Sequence, residues 1–180
     1  MTLYDILTSD NVVESIETHM DDLLVMIPEI QNMVNFPHNH PHHHLDVWRH
    51  TLYALSLSSN DFDIRLSLLL HDIGKPFSYQ DEEVRHFRGH PNVSSSMAKV
   101  ILKRIGFDDS YTKRICFFIE NHDTPMSDEF IKNNIDLCLP LFEIQRCDAL
   151  AHHPDKLEKR KEYLENTKKK ILLKTSNKKD

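Results

Sequence analysis

The pair His71-Asp72 closes a strongly apolar run, Ile64-Arg65-Leu66-Ser67-Leu68-Leu69-Leu70, and is followed at once by Ile73-Gly74-Lys75-Pro76. Such a run marks a buried element, so the pair is carried towards the core. An ionised Asp there is costly unless something pairs with it. A divalent metal would pair with it, and imidazole and carboxylate are both metal ligands. Any fold for this chain must bring compensating groups to residues 71 and 72.

The rest of the sequence points to helices. Gly is scarce, at 3 residues in 180, and long β-branched alternations are missing. Amphipathic helical spacing covers 9–34, with Pro28 as a kink or fresh start. A Pro- and His-rich loop follows at 35–44. Helices are then expected over 46–58, from the Asn60-Asp61 cap to about Asp72, from His90-Pro91 to near Gly106, and from Asp108 to about Asn121. Residues 73–89 read as a long loop, with room for a small hairpin. Further helices are expected from about Asp128 and over roughly 140–152, and then a charged helix fraying by Thr175. These elements predict an all-α helical bundle in one domain, 1–180. Its core spans about 23–164, and 165–180 form a basic, frayed tail.

Thirteen His residues are a reason to look for a metal. On helices, His50 shares a face with Val47, Ala54 and Leu57, and His71 with Ile64 and Leu68. His90 leads Val93 and Met97, His122 follows Ile115, Phe118 and Ile119, and Asp148 follows Leu141 and Ile144. A single His on an apolar face is more often an ordinary core residue, and a single Asp a cap. Six such residues on five helical segments make a shared metal centre the better reading. Imidazoles and carboxylates without thiolates suit Fe, Mn, Co, Ni or Zn better than Ca. Six ligands exceed one tetrahedral ion, and a carboxylate such as Asp72 can bridge two ions about 3.5–4 Å apart. Metal-bound water can reach a pKa of about 7, which suits attack on phosphorus. Lys75, one turn beyond Asp72, could hold a phosphate oxygen.

Composition narrows the class. A net charge of −6 argues against a general nucleic-acid magnet. Cys116, Cys138 and Cys147 have no CxxC spacing and read as reduced thiols of a cytosolic protein, with Cys116 and Cys147 in the core. The N-terminus lacks signal-peptide character, and no apolar stretch approaches the roughly 20 residues of a spanning helix. The expectation is a cytoplasmic protein with no membrane partner.

The order His50, His71-Asp72, Asp148 resembles the HD-domain superfamily of metal-dependent phosphohydrolases. Trp48-Arg49-His50-Thr51-Leu52 and His71-Asp72-Ile73-Gly74-Lys75-Pro76 carry the likeness, and His90 and His122 resemble its dinuclear branch. The chain most resembles the HD domain carried by bacterial tRNA nucleotidyltransferases, through His44-Leu45-Asp46-Val47-Trp48-Arg49-His50 and Asp148-Ala149-Leu150-Ala151. The resemblance implies an HD-domain helical bundle in which His50, His71, Asp72 and Asp148 hold one ion. Asp72, His90 and His122 would hold the second, and Lys75 and His44 would meet the phosphate. CCA addition does not carry over, because no nucleotidyltransferase head is present in the sequence. Cyclic di-GMP hydrolysis is not favoured, because a Gly-Tyr-Pro motif is missing near the second ligands.

The expected activity is hydrolysis of a nucleotide or related phosphate ester, as a phosphomonoesterase or phosphodiesterase, by metal-activated water. Asp72, Lys75 and His44 are the expected catalytic residues, and two divalent transition-metal ions the cofactor. The alternative is a metal-containing module that binds RNA or a nucleotide without turnover, for which the Lys-rich tail is the motive. Apart from His44, the loop 38–44 reads as an exposed polar loop at the pocket mouth, and His152, one turn after Asp148, could line the site but reads better as a surface residue. Arg85, His86 and Arg88 fit phosphate binding and a solvated charge cluster about equally. Lys159 and Arg160 read as members of a solvated helix with i,i+4 pairs.

Overall fold

The computed structural model describes residues 1–39 and 45–176, and among these there is no strand, only the isolated bridges Pro37–Asp46 and Gln80–His86. The first helices are α1 (Leu3–Leu7), α2 (Val12–Thr18) and α3 (Met20–Met26), followed by a 3₁₀ turn at Pro28–Asn32. Next come α4 (Val47–Ser56), α5 (Phe62–Leu70), the single turn α6 (Lys75–Ser78) and α7 (His90–Arg104). The chain continues through α8 (Asp109–Glu120), α9 (Asp128–Asn133), α10 (Ile135–Leu150) and α11 (Leu157–Ser176).

Short polar side chains set the starts. Asp46, Asp61 and Asp108 accept hydrogen bonds from the backbone N–H of Arg49, Ile64 and Tyr111 at 2.8, 3.0 and 2.8 Å. Each such cap is worth about 1 kcal/mol and fixes where its helix begins. The left-handed turn before α7 uses Gly89, at φ 78°. A side chain there would cost about 1–2 kcal/mol.

α5 is the central element: every residue from Ile64 to Leu70 is buried, and it packs against α4, α7, α8 and α10. Arg65 is buried with them. Its Nη1 donates to the carbonyls of Leu7 and Ser9 at 2.7 and 2.8 Å and to Asn60 Oδ1 at 2.9 Å, tying α1 to α5. The core therefore also takes in Leu3, Ile6, Leu7, Val12 and Ile16.

Four expectations change. The 9–34 segment is broken into α2, α3 and the 3₁₀ turn. α10 starts at Ile135, with Pro140 inside it. Residues 165–176 continue the charged helix expected to about Thr175, but they are packed rather than frayed, with Thr167 and Ile171 buried against the bundle. Cys138 and Cys147 are the buried thiols, while Cys116 is half-buried.

Gly74 sits where α6 meets α7. Its N–H donates to Ser94 Oγ at 2.9 Å, and an added Cβ would lie 2.5 Å from the Ser94 backbone nitrogen. Backbone cannot yield as a flexible side chain would, so Gly74→Ala must push α6 off α7. We expect it to cost about 1–3 kcal/mol, the usual range for overpacking. Chemical denaturation of the variant against wild type checks this, and an unchanged midpoint would show that the α6–α7 contact is slack.

Candidate metal centre

Most of the site is built from helix ends. His71 follows the last residue of α5, His122 lies just past α8, His90 opens α7, and Asp148 is in the last turn of α10. Only His50, in the first turns of α4, and Asp72 complete the group. All six predicted metal-site residues are buried, and His50, His71 and Asp72 are fully enclosed.

The last carbonyls of a helix have no partner within it. His71 Nδ1 sits 2.6 Å from Leu68 O and His122 Nδ1 2.6 Å from Ile119 O, so these rings satisfy such carbonyls. His90 Nδ1 meets Phe87 O at 2.9 Å, and His50 Nδ1 meets Ala151 O at 3.2 Å. A carbonyl only accepts, so every Nδ1 here carries the proton. In a neutral ring the Nε2 lone pair then points into the centre. This is how outer partners fix the tautomer of a metal-ligating histidine.

The Nε2 atoms meet other acceptors. His50 Nε2 lies 2.8 Å from Asp148 Oδ1 and 3.8 Å from Asp72 Oδ2, and His71 Nε2 lies 3.2 Å from Asp72 Oδ2 and 3.6 Å from Asp148 Oδ1. On the other side of the same carboxylate, Asp72 Oδ1 is 3.2 Å from His90 Nε2 and 3.9 Å from His122 Nε2, which are 3.1 Å from each other. Two groups form at Asp72: His50 and His71 around Oδ2, and His90 and His122 around Oδ1, with Asp148 reaching the first group through His50 and His71. Ligand atoms about 2.0–2.2 Å from an ion lie roughly 3 Å apart when at right angles, which is the spacing seen.

Acceptor facing acceptor needs a cation between them. His71 Nε2 and both oxygens of Asp72 are buried without a hydrogen bond. Lys75 Nζ is 2.7 Å from Asp72 Oδ2, an ion pair whose angles are not those of a hydrogen bond. The protonation pattern carries the same tension. Burial works against a charged His71, but Asp72 and Asp148 outweigh it and raise its pKa to about 10. Burial likewise opposes ionised Asp72 and Asp148, yet the imidazoles, with Lys75 at Asp72, hold both well below the usual carboxylate range. The donor set and the orphaned atoms fit divalent transition metal.

The chain belongs to the HD domain family. The family match covers residues 42–174. A CC-adding tRNA nucleotidyltransferase of Thermus thermophilus is 30% identical over 141 residues, covering 71% of this chain and 32% of that protein. An A-adding tRNA nucleotidyltransferase of Deinococcus radiodurans is 29% identical over 123 residues, covering 61% and 28%. A multifunctional CCA protein of Pseudomonas fluorescens is 33% identical over 86 residues, covering 46% and 21%. The chain spans about a third or less of these relatives. HD domains bind divalent metals, and their superfamily is generally one of metal-dependent phosphohydrolases.

Around the metal centre the HD domain adds groups that the sequence reading placed elsewhere. His38 is not exposed: it is buried, with Nδ1 2.8 Å from Leu45 O and Nε2 3.1 Å from Lys75 Nζ. Burial and the Lys75 charge push its pKa down to about 2, so neutral His38 accepts from the ammonium and holds it beside Asp72. His152 is not a surface residue either. Its Nδ1 meets Asp148 O at 2.8 Å, and its ring packs 5.2 Å from that of His50. Asp123, just past the end of α8, is exposed at the rim, with Oδ2 3.5 Å from His90 Nε2. Gln145 holds this rim by donating to Asn121 O and Thr124 O at 2.9 and 2.8 Å. Arg85 is committed to Asp81 and Pro37 O and stacks on Phe36 and Tyr79, and Arg88 pairs with Glu82. His44, expected at the phosphate, lies outside the described residues.

A metal ligand must be a neutral imidazole, so divalent metal has to displace the proton that His71 carries below about pH 10. The sign follows: metal affinity rises with pH through neutrality, by close to tenfold per unit for this one proton. Calorimetric titration of Mn²⁺ in buffers of differing ionisation enthalpy should show about one proton released per protein molecule at pH 7. No proton release would contradict a charged His71.

Proposed function

We propose that this domain is a divalent-metal-dependent phosphohydrolase acting on a nucleotide or related phosphate ester. The observation that supports it most is the Asp72 carboxylate, whose two oxygens each face a separate group of inward-pointing imidazole nitrogens. In this reading His50, His71, Asp72 and Asp148 hold one ion, and Asp72, His90 and His122 the second. Bound divalent ions would supply Lewis acidity towards phosphoryl oxygen and a water nucleophile at neutral pH.

The chain's own groups do the rest. A cavity of about 420 Å³ opens on the centre, lined by Lys75, Phe87, Arg88, His90, His122 and Asp148, among others, and admits a phosphate ester. A larger cavity, about 690 Å³ at Lys132–Leu137 and Lys174, has none of these residues in its wall. Lys75 brings a fixed positive charge to the cavity and, steered by His38, offsets charge on the transferring group. Asp123, exposed at the rim, lines the same cavity.

The relatives' names concern tRNA, and an RNA end carries the same phosphate ester. A substrate panel should therefore include nucleoside mono- and diphosphates, cyclic nucleotides and RNA with 3′-phosphate ends. With Mn²⁺, Co²⁺, Ni²⁺ or Fe²⁺ we expect phosphate release from at least one class, abolished by chelator. Asp72→Asn should lower turnover at least 10³-fold together with metal content. Lys75→Met should lower kcat by about 10²–10³, the scale of losing one electrostatic donor, and keep the metal. Metal and RNA binding without turnover of any ester would support the non-catalytic module instead.

A further inference from the structure

The metal-ligand cluster lies where two cavities meet. Beside the first lies a second, of about 520 Å³, between the end of α10 and the first turns of α11. His122, Asp123, Asp148 and His152 line both. A phosphate at the cluster therefore has room on two sides. The second lobe adds Gln145, Lys159, Arg160 and Tyr163, which the proposed chemistry does not use.

Arg160 is the unusual member. Every other arginine of the chain has a carboxylate or carbonyl partner: Arg49, Arg65, Arg85, Arg88, Arg104, Arg114 and Arg146. Arg160 is half-buried in the cavity wall and has no hydrogen bond or ion pair among the described residues. Arg160 lines the same cavity as His122, Asp123 and Asp148, so it stands on the side of the metal-ligand cluster. Neither carboxylate comes within ion-pair distance of it: Asp148 Oδ1 is engaged by His50, and Asp123 lies beside His90. A guanidinium has five donors in a planar fork that matches two phosphate oxygens. Lys159, exposed alongside, adds a second positive charge at the same wall.

We infer that Arg160 selects substrates carrying a second phosphate group, bound in the α10–α11 lobe while the first lies at the Asp72 cluster. The inference rests on the proposed function for the placement of the first phosphate. The second phosphate can come from a polyphosphate chain or from another position on the sugar. Three probes separate the sources: AMP, ADP and adenosine 3′,5′-bisphosphate, with Mn²⁺-loaded full-length protein at fixed ionic strength. Binding is read before phosphate release becomes detectable, and release is followed in the same samples.

The expected result is that ADP or the bisphosphate binds at least tenfold more tightly than AMP, and the better of the two names the source. Arg160→Gln should shrink that preference to under threefold, and Arg160→Lys should retain part of it. Lys161→Gln, at an exposed residue paired with Glu158, should retain all of it. Far-UV circular dichroism confirms that the variants fold. No preference in the wild type, or a preference untouched by Arg160→Gln, overturns the inference. A preference lost in Arg160→Gln with no phosphate release from any probe leaves the subsite standing and removes the hydrolase reading.

Discussion

The structure depends on one carboxylate. Asp72 is fully enclosed, and its charge must be met on both oxygens. An uncompensated buried charge costs several kcal/mol, a large part of a domain's net stability. The bundle answers by bringing His71, His90 and His122 from three helix ends to Asp72, with Lys75 beside them, while Asp148, from a fourth, adds a second carboxylate that His50 and His71 face. The same termini solve a second problem. Carbonyls left over where α5 and α8 stop take the Nδ1 protons of His71 and His122, and this turns their Nε2 atoms inward. Helix termination and ligand orientation are thus one event, and where each helix stops is part of the site.

A second layer keeps the positive side in place. Lys75 begins α6 directly after the tight Gly74–Ser94 contact, so its stem is fixed by backbone packing. Buried His38, neutral because burial and the neighbouring ammonium disfavour its charge, accepts from Lys75 at 3.1 Å. Lys75 thus meets Asp72 Oδ2 at 2.7 Å, on the same oxygen that His71 faces, with its Nζ over the Phe87 ring.

The six inward residues were legible because each sits in a run of apolar neighbours at helical spacing, and the His-Asp pair could not be buried alone. The caps at Asp46, Asp61 and Asp108 were legible for the same local reason: a short acceptor side chain stands just before an apolar period. What stayed hidden depends on contacts distant in sequence. His38 lies among exposed-looking prolines and histidines, and nothing local shows that Lys75, 37 residues on, meets its Nε2. Arg65 looks like the polar break in an apolar run, yet its partners are carbonyls at residues 7 and 9. Arg160 looks like one more member of a charged surface helix, in which its neighbours Glu158 and Lys161 do pair at i,i+3, and only the packing of α11 against α10 turns it inward. His152 stands one turn after Asp148, which marks it as a candidate for the site, but its ring contact with His50 comes from a helix distant in sequence.

Specificity is then a property of the walls rather than the cluster. The wall formed by 79–88 is braced before any substrate arrives. Arg85 stacks on Phe36 and Tyr79, donates to Pro37 O and pairs with Asp81, while Gln80 and His86 exchange backbone hydrogen bonds. A preformed wall spends little conformational entropy on binding, so the first lobe acts as a fixed mould. On the opposite side Gln145 pins the 121–124 turn, and α11 is packed down by Leu164, Thr167 and Ile171. Charge differs between the lobes in a way that shape does not. In the first, Arg85 is neutralised by its own loop; in the second, Arg160 keeps its donors unspent. A ligand with charge only at the scissile phosphate gains little from the second lobe, whereas one with further negative charge gains there without disturbing the metal ligands.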